Sequence, residues 1–283
     1  MRASPVECIL NRMDRRGWVV GLLLLPGCQW FFMVDEIRPD AATTDDAATG
    51  DAIPQCWSSA QIADDEDGDK ISDGCDNCPA DANPDQADDD HDGVGNACDP
   101  HPTQPDQIVM FEGFGPGGSL QGWTSLGTGA WTPMTGDLVQ AMSSGRGLFE
   151  YTASTFTNAS VDLRLTDATI APSSQLTVWS RIPTTVVAAP DGVACSTQSG
   201  GGIARTLLSH VILGGSSSVF MNAFGSGSDD VRLLVKPDGT CEGTRFDTRA
   251  MIGRTLTPGA GYIGLGVLDT TATIHSITVF QPR

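Results

Sequence analysis

The chain has 283 residues, with 16 basic and 35 acidic side chains, a formal net charge of -19 and 40% hydrophobic residues. That length holds one or two domains beside tails. The acidity is local: residues 29–106 carry 21 acids against Arg38 and Lys70, whereas residues 107–283 carry 12 acids and 10 bases. Dense negative charge repels phosphate, which excludes nucleic acid as a partner.

From the N-terminus, Met13-Asp14-Arg15-Arg16-Gly17 is a basic start, Trp18 to Leu25 an apolar run, and Pro26-Gly27-Cys28 its end. The run is shorter than the roughly 20 residues a membrane-spanning helix needs, so it reads as an export signal. Leu25, Gly27 and Cys28 resemble the lipobox of bacterial lipoproteins, with Pro26 departing from the usual residue. The resemblance implies a signal peptide over 1–28 with its start at Met13, acylation of Cys28, and a lipid anchor in the outer membrane. Residues 29–55 follow as an acidic, low-complexity linker without enough apolar surface to order itself.

Residues 56–106 hold a duplicated acid loop. Asp65-Glu66-Asp67-Gly68-Asp69-Lys70-Ile71-Ser72-Asp73-Gly74-Cys75-Asp76 recurs at an offset of 23 as Asp88-Asp89-Asp90-His91-Asp92-Gly93-Val94-Gly95-Asn96-Ala97-Cys98-Asp99. Oxygen-bearing side chains fall at the first, third, fifth, ninth and twelfth places of both: Asp65, Asp67, Asp69, Asp73 and Asp76, then Asp88, Asp90, Asp92, Asn96 and Asp99. Ca2+ takes six to eight hard oxygen ligands at about 2.3–2.6 Å, and a tightly wound loop brings alternate side chains to one centre. The seventh place, Ile71 or Val94, offers its backbone carbonyl and frees an apolar side chain for packing. Glycine suits the sharp turn at the sixth place. Gly93 meets this and Lys70 does not. An EF-hand is excluded, because the twelfth residue is Asp instead of Glu and no amphipathic helix flanks either loop.

Cys56, Cys75, Cys78, Cys98, Cys195 and Cys241 form an even set downstream of the signal, which in an exported chain reads as disulfides with 15 possible connectivities. Cys75 and Cys78 also have the spacing of a zinc site, with Cys98, His91 and His101 nearby. Cys75-Asp76-Asn77-Cys78-Pro79, Asn83-Pro84-Asp85-Gln86 and Ala97-Cys98-Asp99, together with the acid loops, resemble thrombospondin type 3 repeats. This resemblance implies calcium wrapped by the backbone, and cysteines paired in order: Cys56 with Cys75, Cys78 with Cys98. The repeats then form a calcium-stiffened stalk ahead of the next domain.

From residue 107 the chain turns rich in Gly, Ser and Thr. Apolar residues alternate over 159–165, 176–180, 231–235, 261–267 and 274–280. Short alternating runs between turn signals predict a mostly β fold, a β-sandwich over 107–283. Phe111-Glu112-Gly113-Phe114, Gly122-Trp123, Gly129-Ala130-Trp131-Thr132-Pro133 and Gly261-Tyr262-Ile263-Gly264-Leu265 resemble a concanavalin A-like jelly roll of the laminin G or glucanase type. Cys195 and Cys241 are expected to join a loop to the segment after the Pro237-Asp238-Gly239 turn. The Glu-x-Asp-x-x-Glu strand of such glucanases is missing, and Glu112, Glu150 and Glu242 stand singly. Trp123, Trp131 and Trp179 are either core or sugar-stacking residues. The loops 199–202 and 214–218 are candidate rims of a ligand site. These readings give a calcium-binding, non-enzymatic surface lipoprotein whose sandwich binds polysaccharide or a surface protein in adhesion. A polysaccharide-active enzyme and a structural envelope spacer are the alternatives.

Overall fold

The structure is a computed structural model that describes residue 56 and residues 64–114, 120–128, 130–134, 137–141, 145–167, 175–182, 192–199, 206–212, 215–220, 230–245, 248–252 and 259–283. Cys28, the signal over 1–28 and the linker over 29–55 lie outside the described residues.

Described in chain order, the strands are β1 (Asp106–Glu112), β2 (Trp123–Gly127), β3 (Ala130–Met134), β4 (Asp137–Ala141), β5 (Arg146–Thr157), β6 (Ser160–Asp167), β7 (Gln175–Ile182) and β8 (Val193–Ser199). They continue as β9 (Thr206–Ile212), β10 (Gly215–Phe220), β11 (Asp230–Val235), β12 (Cys241–Arg245), β13 (Thr248–Ile252), β14 (Ala260–Leu268) and β15 (Ala272–Pro282). An eight-stranded sheet runs β13-β12-β11-β6-β15-β4-β3, with β1 also on β15; a seven-stranded sheet runs β10-β9-β8-β7-β14-β5-β2. The pairings are antiparallel. Residues far apart in sequence are neighbours, β6 beside β15 and β7 beside β14, so the chain crosses between the sheets as a jelly roll does.

Alternation along each strand sets the layers. Val161, Leu163 and Leu165 of β6 face Leu176 and Val178 of β7 within one core, together with Val231, Leu233 and Val235 of β11 and Ile263, Leu265 and Val267 of β14. Phe149 stacks on Trp123 with ring centroids 4.7 Å apart and on Trp131 at 5.2 Å. Trp131 belongs to the opposite sheet from Phe149, so this aromatic stack ties the two layers together. Trp123, Trp131 and Trp179 are all buried. All three are therefore core and not sugar platforms.

Two sequence expectations change in detail. Cys195 lies in β8 and not in a loop, and its bond to Cys241 at the start of β12 joins the two sheets, with Cα atoms 5.2 Å apart. Residues 215–218 belong to β10, where their backbone pairs in register with β9.

The repeat segment does not stand apart as a stalk. It lies on the outer face of the eight-stranded sheet, where Cys78, Val94 and Cys98 share a second buried cluster with Ile108 of β1 and Phe280 of β15. Charged side chains from that face hold it down. Arg164 pairs with Asp81, the Lys236 ammonium donates to the Pro100 carbonyl at 2.7 Å, and Arg232 donates to the Cys98 carbonyl at 3.4 Å. Asp162, buried between the two arginines, accepts from Arg232 at 2.7 Å and from Arg164 at 3.4 Å.

Candidate metal centre

Both acid loops are wound by the same hydrogen bonds. The first carboxylate accepts from the loop's fourth and sixth N–H groups or near neighbours: Asp65 from Gly68 at 2.9 Å and Lys70 at 3.0 Å, Asp88 from His91 at 2.8 Å and Gly93 at 2.9 Å. The fifth accepts from the seventh, Asp69 from Ile71 at 2.8 Å and Asp92 from Val94 at 2.7 Å. The ninth reaches back to the second, Asp73 to Glu66 at 2.9 Å and Asn96 to Asp89 at 3.0 Å. The twelfth caps the next turn, Asp76 accepting from Cys78 at 2.7 Å and Asp99 from His101 at 2.6 Å. Short Asp and Asn side chains make these local bonds readily, and this is why they wind loops and not helices.

The repeat extends further than its letters. The second oxygen of Asp69 accepts from the Asn83 N–H at 3.0 Å, and the second oxygen of Asp92 accepts from the Asp106 N–H. Asn83 and Asp106 are again 23 apart. Asp106, buried, also meets His101 Nδ1 at 2.7 Å. These positions were missed in the sequence. Extending the offset of the cysteine and acid positions would have found them.

The windings bring the acids together. One carboxylate oxygen each from Asp65, Asp67 and Asp69 lies within 4.8 Å of the others, and so do those of Asp88, Asp90 and Asp92. Asp73 and Asp76 are close enough to the first cluster to repel it, and Asp99 is close enough to the second. Val94 is buried in the second core and Ile71 is half-buried, as the carbonyl-donating place requires.

Burial, followed by repulsion from neighbouring acids, raises the carboxyl of Asp67 to about 6 and that of Asp73 to about 7, against backbone N–H bonds that act the other way. Asp99 is raised to about 6 by burial and by Asp92, Asp106 and Asp90. Asp67 Oδ2 is buried and accepts no hydrogen bond. A buried carboxylate oxygen without a donor, amid other carboxylates, fits a hard divalent cation.

The zinc alternative closes on the disulfides. Cys75 is bonded to Cys56 and Cys78 to Cys98, so none of these sulfurs is a thiolate. The neighbour-by-neighbour pairing implied by the thrombospondin resemblance is the pairing present.

The seven-stranded sheet carries a second feature on its outer face. Gly266 of β14 lies between Thr177 of β7 and Leu148 of β5. With Trp179, Gln175 and Arg146 these residues line a trough of about 210 Å³. Thr177 Oγ1 and Ser196 Oγ are 2.9 Å apart beside it, and the Trp179 indole N–H has no hydrogen-bond partner. Glu112 of β1 and Glu242 of β12 stand in the eight-stranded sheet and Glu150 of β5 in the seven-stranded one, so these three do not form the paired glutamates of a glucanase strand.

No family model and no curated protein matches the chain. Among solved structures it is similar to the carbohydrate-binding module CBM66 from Bacillus subtilis, at 15% identity over 54% of this chain and 92% of that one, with a TM-score of 0.41. It is also similar to the VIP36 exoplasmic/lumenal domain in its Ca2+/Man3GlcNAc-bound form, at 12% identity over 58% of this chain and 86% of that one, TM-score 0.45. The β-glucanase of Bacillus licheniformis is a third, at 11% identity over 62% and 98%, TM-score 0.41. The class is set by the strand topology itself: an antiparallel β-sandwich with a disulfide-stapled, acid-looped repeat packed on one sheet.

Lys70 occupies the sixth place of its loop at φ 82°, the left-handed conformation that Gly93 adopts at φ 90° in the other loop. A side chain costs about 1–2 kcal/mol there. Lys70→Gly is expected to raise stability by about 1 kcal/mol after the extra chain entropy of glycine is subtracted, read as a higher urea midpoint at unchanged slope.

Proposed function

We propose that this protein is a calcium-binding, non-enzymatic surface lipoprotein whose sandwich binds glycan. The observation that carries the calcium reading is the doubled hydrogen-bond pattern, which winds two loops identically and gathers three carboxylates at the same places in each. Asp65, Asp67, Asp69, Asp73, Asp76 and the Ile71 carbonyl would hold one ion; Asp88, Asp90, Asp92, Asn96, Asp99 and the Val94 carbonyl would hold the other. The ion supplies positive charge that relieves carboxylate repulsion, and binding only to the folded form stabilises it by mass action. Titration calorimetry on the chain from residue 29 onward is expected to show two calcium sites. Asp90→Ala is expected to abolish one site and to lose more affinity than Asp67→Ala, because Lys70 already weakens the first loop. Heat absent at millimolar calcium overturns the reading.

The trough supports the glycan reading. Its floor at Gly266 has no side chain, and its rim offers amide, hydroxyl and guanidinium groups. Sugar sites combine such a flat surface with a few polar groups. A Cβ at Gly266 would sit 3.5 Å from Trp179 Nε1 and 3.6 Å from Thr177 Cβ, ordinary contact distances. Gly266→Val is therefore expected to fold normally and to lose at least ten-fold in affinity for any neutral oligosaccharide that a glycan screen identifies. Product release in a parallel hydrolysis assay makes the protein an enzyme instead.

The lipid anchor rests on Leu25-Pro26-Gly27-Cys28. Cys28→Ser is expected to move the protein from the membrane fraction to the soluble fraction; a wild-type protein that is already soluble overturns the anchor.

A further inference from the structure

Between the second acid loop and the outer face of the eight-stranded sheet lies a cavity of about 310 Å³. Three cations converge on it in a chain of net charge -19: Arg232 on β11, Lys236 just beyond it and Arg249 on β13. Docking of the repeat segment accounts for two of them. Arg232 is engaged with Asp162 and the Cys98 carbonyl, and Lys236 with the Pro100 carbonyl. Arg249 is different. It pairs with Glu242 at 2.5 Å, and its side chain is 66% exposed at the cavity. Glu242 neutralises one cation only, since it is shared with Lys236 at 3.0 Å.

The other carboxylate lining the cavity is Asp99, which closes the second acid loop. A calcium ion held by that loop offsets two of the four charges of Asp88, Asp90, Asp92 and Asp99, and the cavity lining itself carries three cations against Asp99 and Glu242. The remaining lining is mixed: Asn96 and Thr244 offer hydrogen bonds, while Pro100 and Pro102 offer apolar faces. This suits a ligand with hydroxyl groups, a carbon skeleton and one anionic group. Guanidinium matches a planar carboxylate through paired N–H bonds.

We infer that this cavity is a second ligand site, that it takes the carboxylate of a uronic acid residue in a polysaccharide, and that the ion in the second acid loop strengthens its hold. The sugar identity and the ion rest on the glycan and calcium readings above, but the site is separate from the trough on the other sheet.

The test uses the chain from residue 29 onward and titration calorimetry with a short oligoglucuronate, a neutral oligoglucan of equal length and an acidic peptide, each in calcium and in chelator. The oligoglucuronate is expected to bind in calcium and not to be displaced by the neutral sugar. Arg249→Gln is expected to weaken it about ten-fold, the usual loss for a charge-assisted hydrogen bond, and Arg249→Lys less. Gly266→Val is expected to leave it unchanged, so failure here and failure of the trough are told apart. Because Arg249 is exposed, the variants are expected to melt with the wild type. No binding, equal displacement by the neutral sugar, indifference to Arg249→Gln or tighter binding of the acidic peptide overturns the site. Affinity unchanged in chelator overturns its link to calcium.

Discussion

Carboxylates held within a few ångström of one another repel, and the repeat segment is organised around that repulsion. Each loop directs backbone N–H groups at its acids in the same order, from Asp65 to Asp76 and again from Asp88 to Asp99. The compensation is incomplete, since Asp67 Oδ2 has no donor and Asp67, Asp73 and Asp99 all resist ionisation. On the calcium reading proposed above, a hard cation would complete it. Disulfides supply what this segment lacks in apolar surface, because they restrict the unfolded chain and not only the folded one.

The same acidity explains where the segment rests. The outer face of the eight-stranded sheet presents Arg164, Arg232 and Lys236, and these meet Asp81 and the carbonyls of Cys98 and Pro100. An apolar patch from Ile108 and Phe280 lies beside them and is covered by Cys78, Val94 and Cys98. Val94 thus belongs to the acid loop by its backbone and to the sandwich by its side chain. The packing of the second loop and that of the sheet therefore meet in one apolar cluster.

The two outer faces of the sandwich have consequently diverged. One is covered by the repeat segment and retains only a cation-lined cavity at its margin. The other has glycines at 264 and 266 on the interior strand β14, which leave a flat strip beside Trp179. Bulk is concentrated between the sheets, in the stack of Phe149 on Trp123 and Trp131.

Alternation marked the positions of β6, β7, β11, β14 and β15, because a strand with one face in the core must repeat every second residue. The doubled acid spacing marked both loops for a similar local reason: ligand and turn residues lie within a dozen positions of one another, so their geometry is written in their order. Less was legible elsewhere. Residues 215–218 read as a loop since serine has no period, yet they pair with β9. Cys195 read as a loop residue, yet it crosses from sheet to sheet. The docking of the repeat onto the sandwich, the Arg164-Asp162-Arg232 network and the cavity at Arg249 left no trace in the sequence. They depend on contacts between residues distant in the chain, such as Asp81 with Arg164, Cys98 with Arg232 and Pro100 with Lys236, and only the crossing of the chain between two sheets brings such residues together. Local spacing therefore determined the loops and strands, and tertiary packing decided which face they cover and which charges meet there.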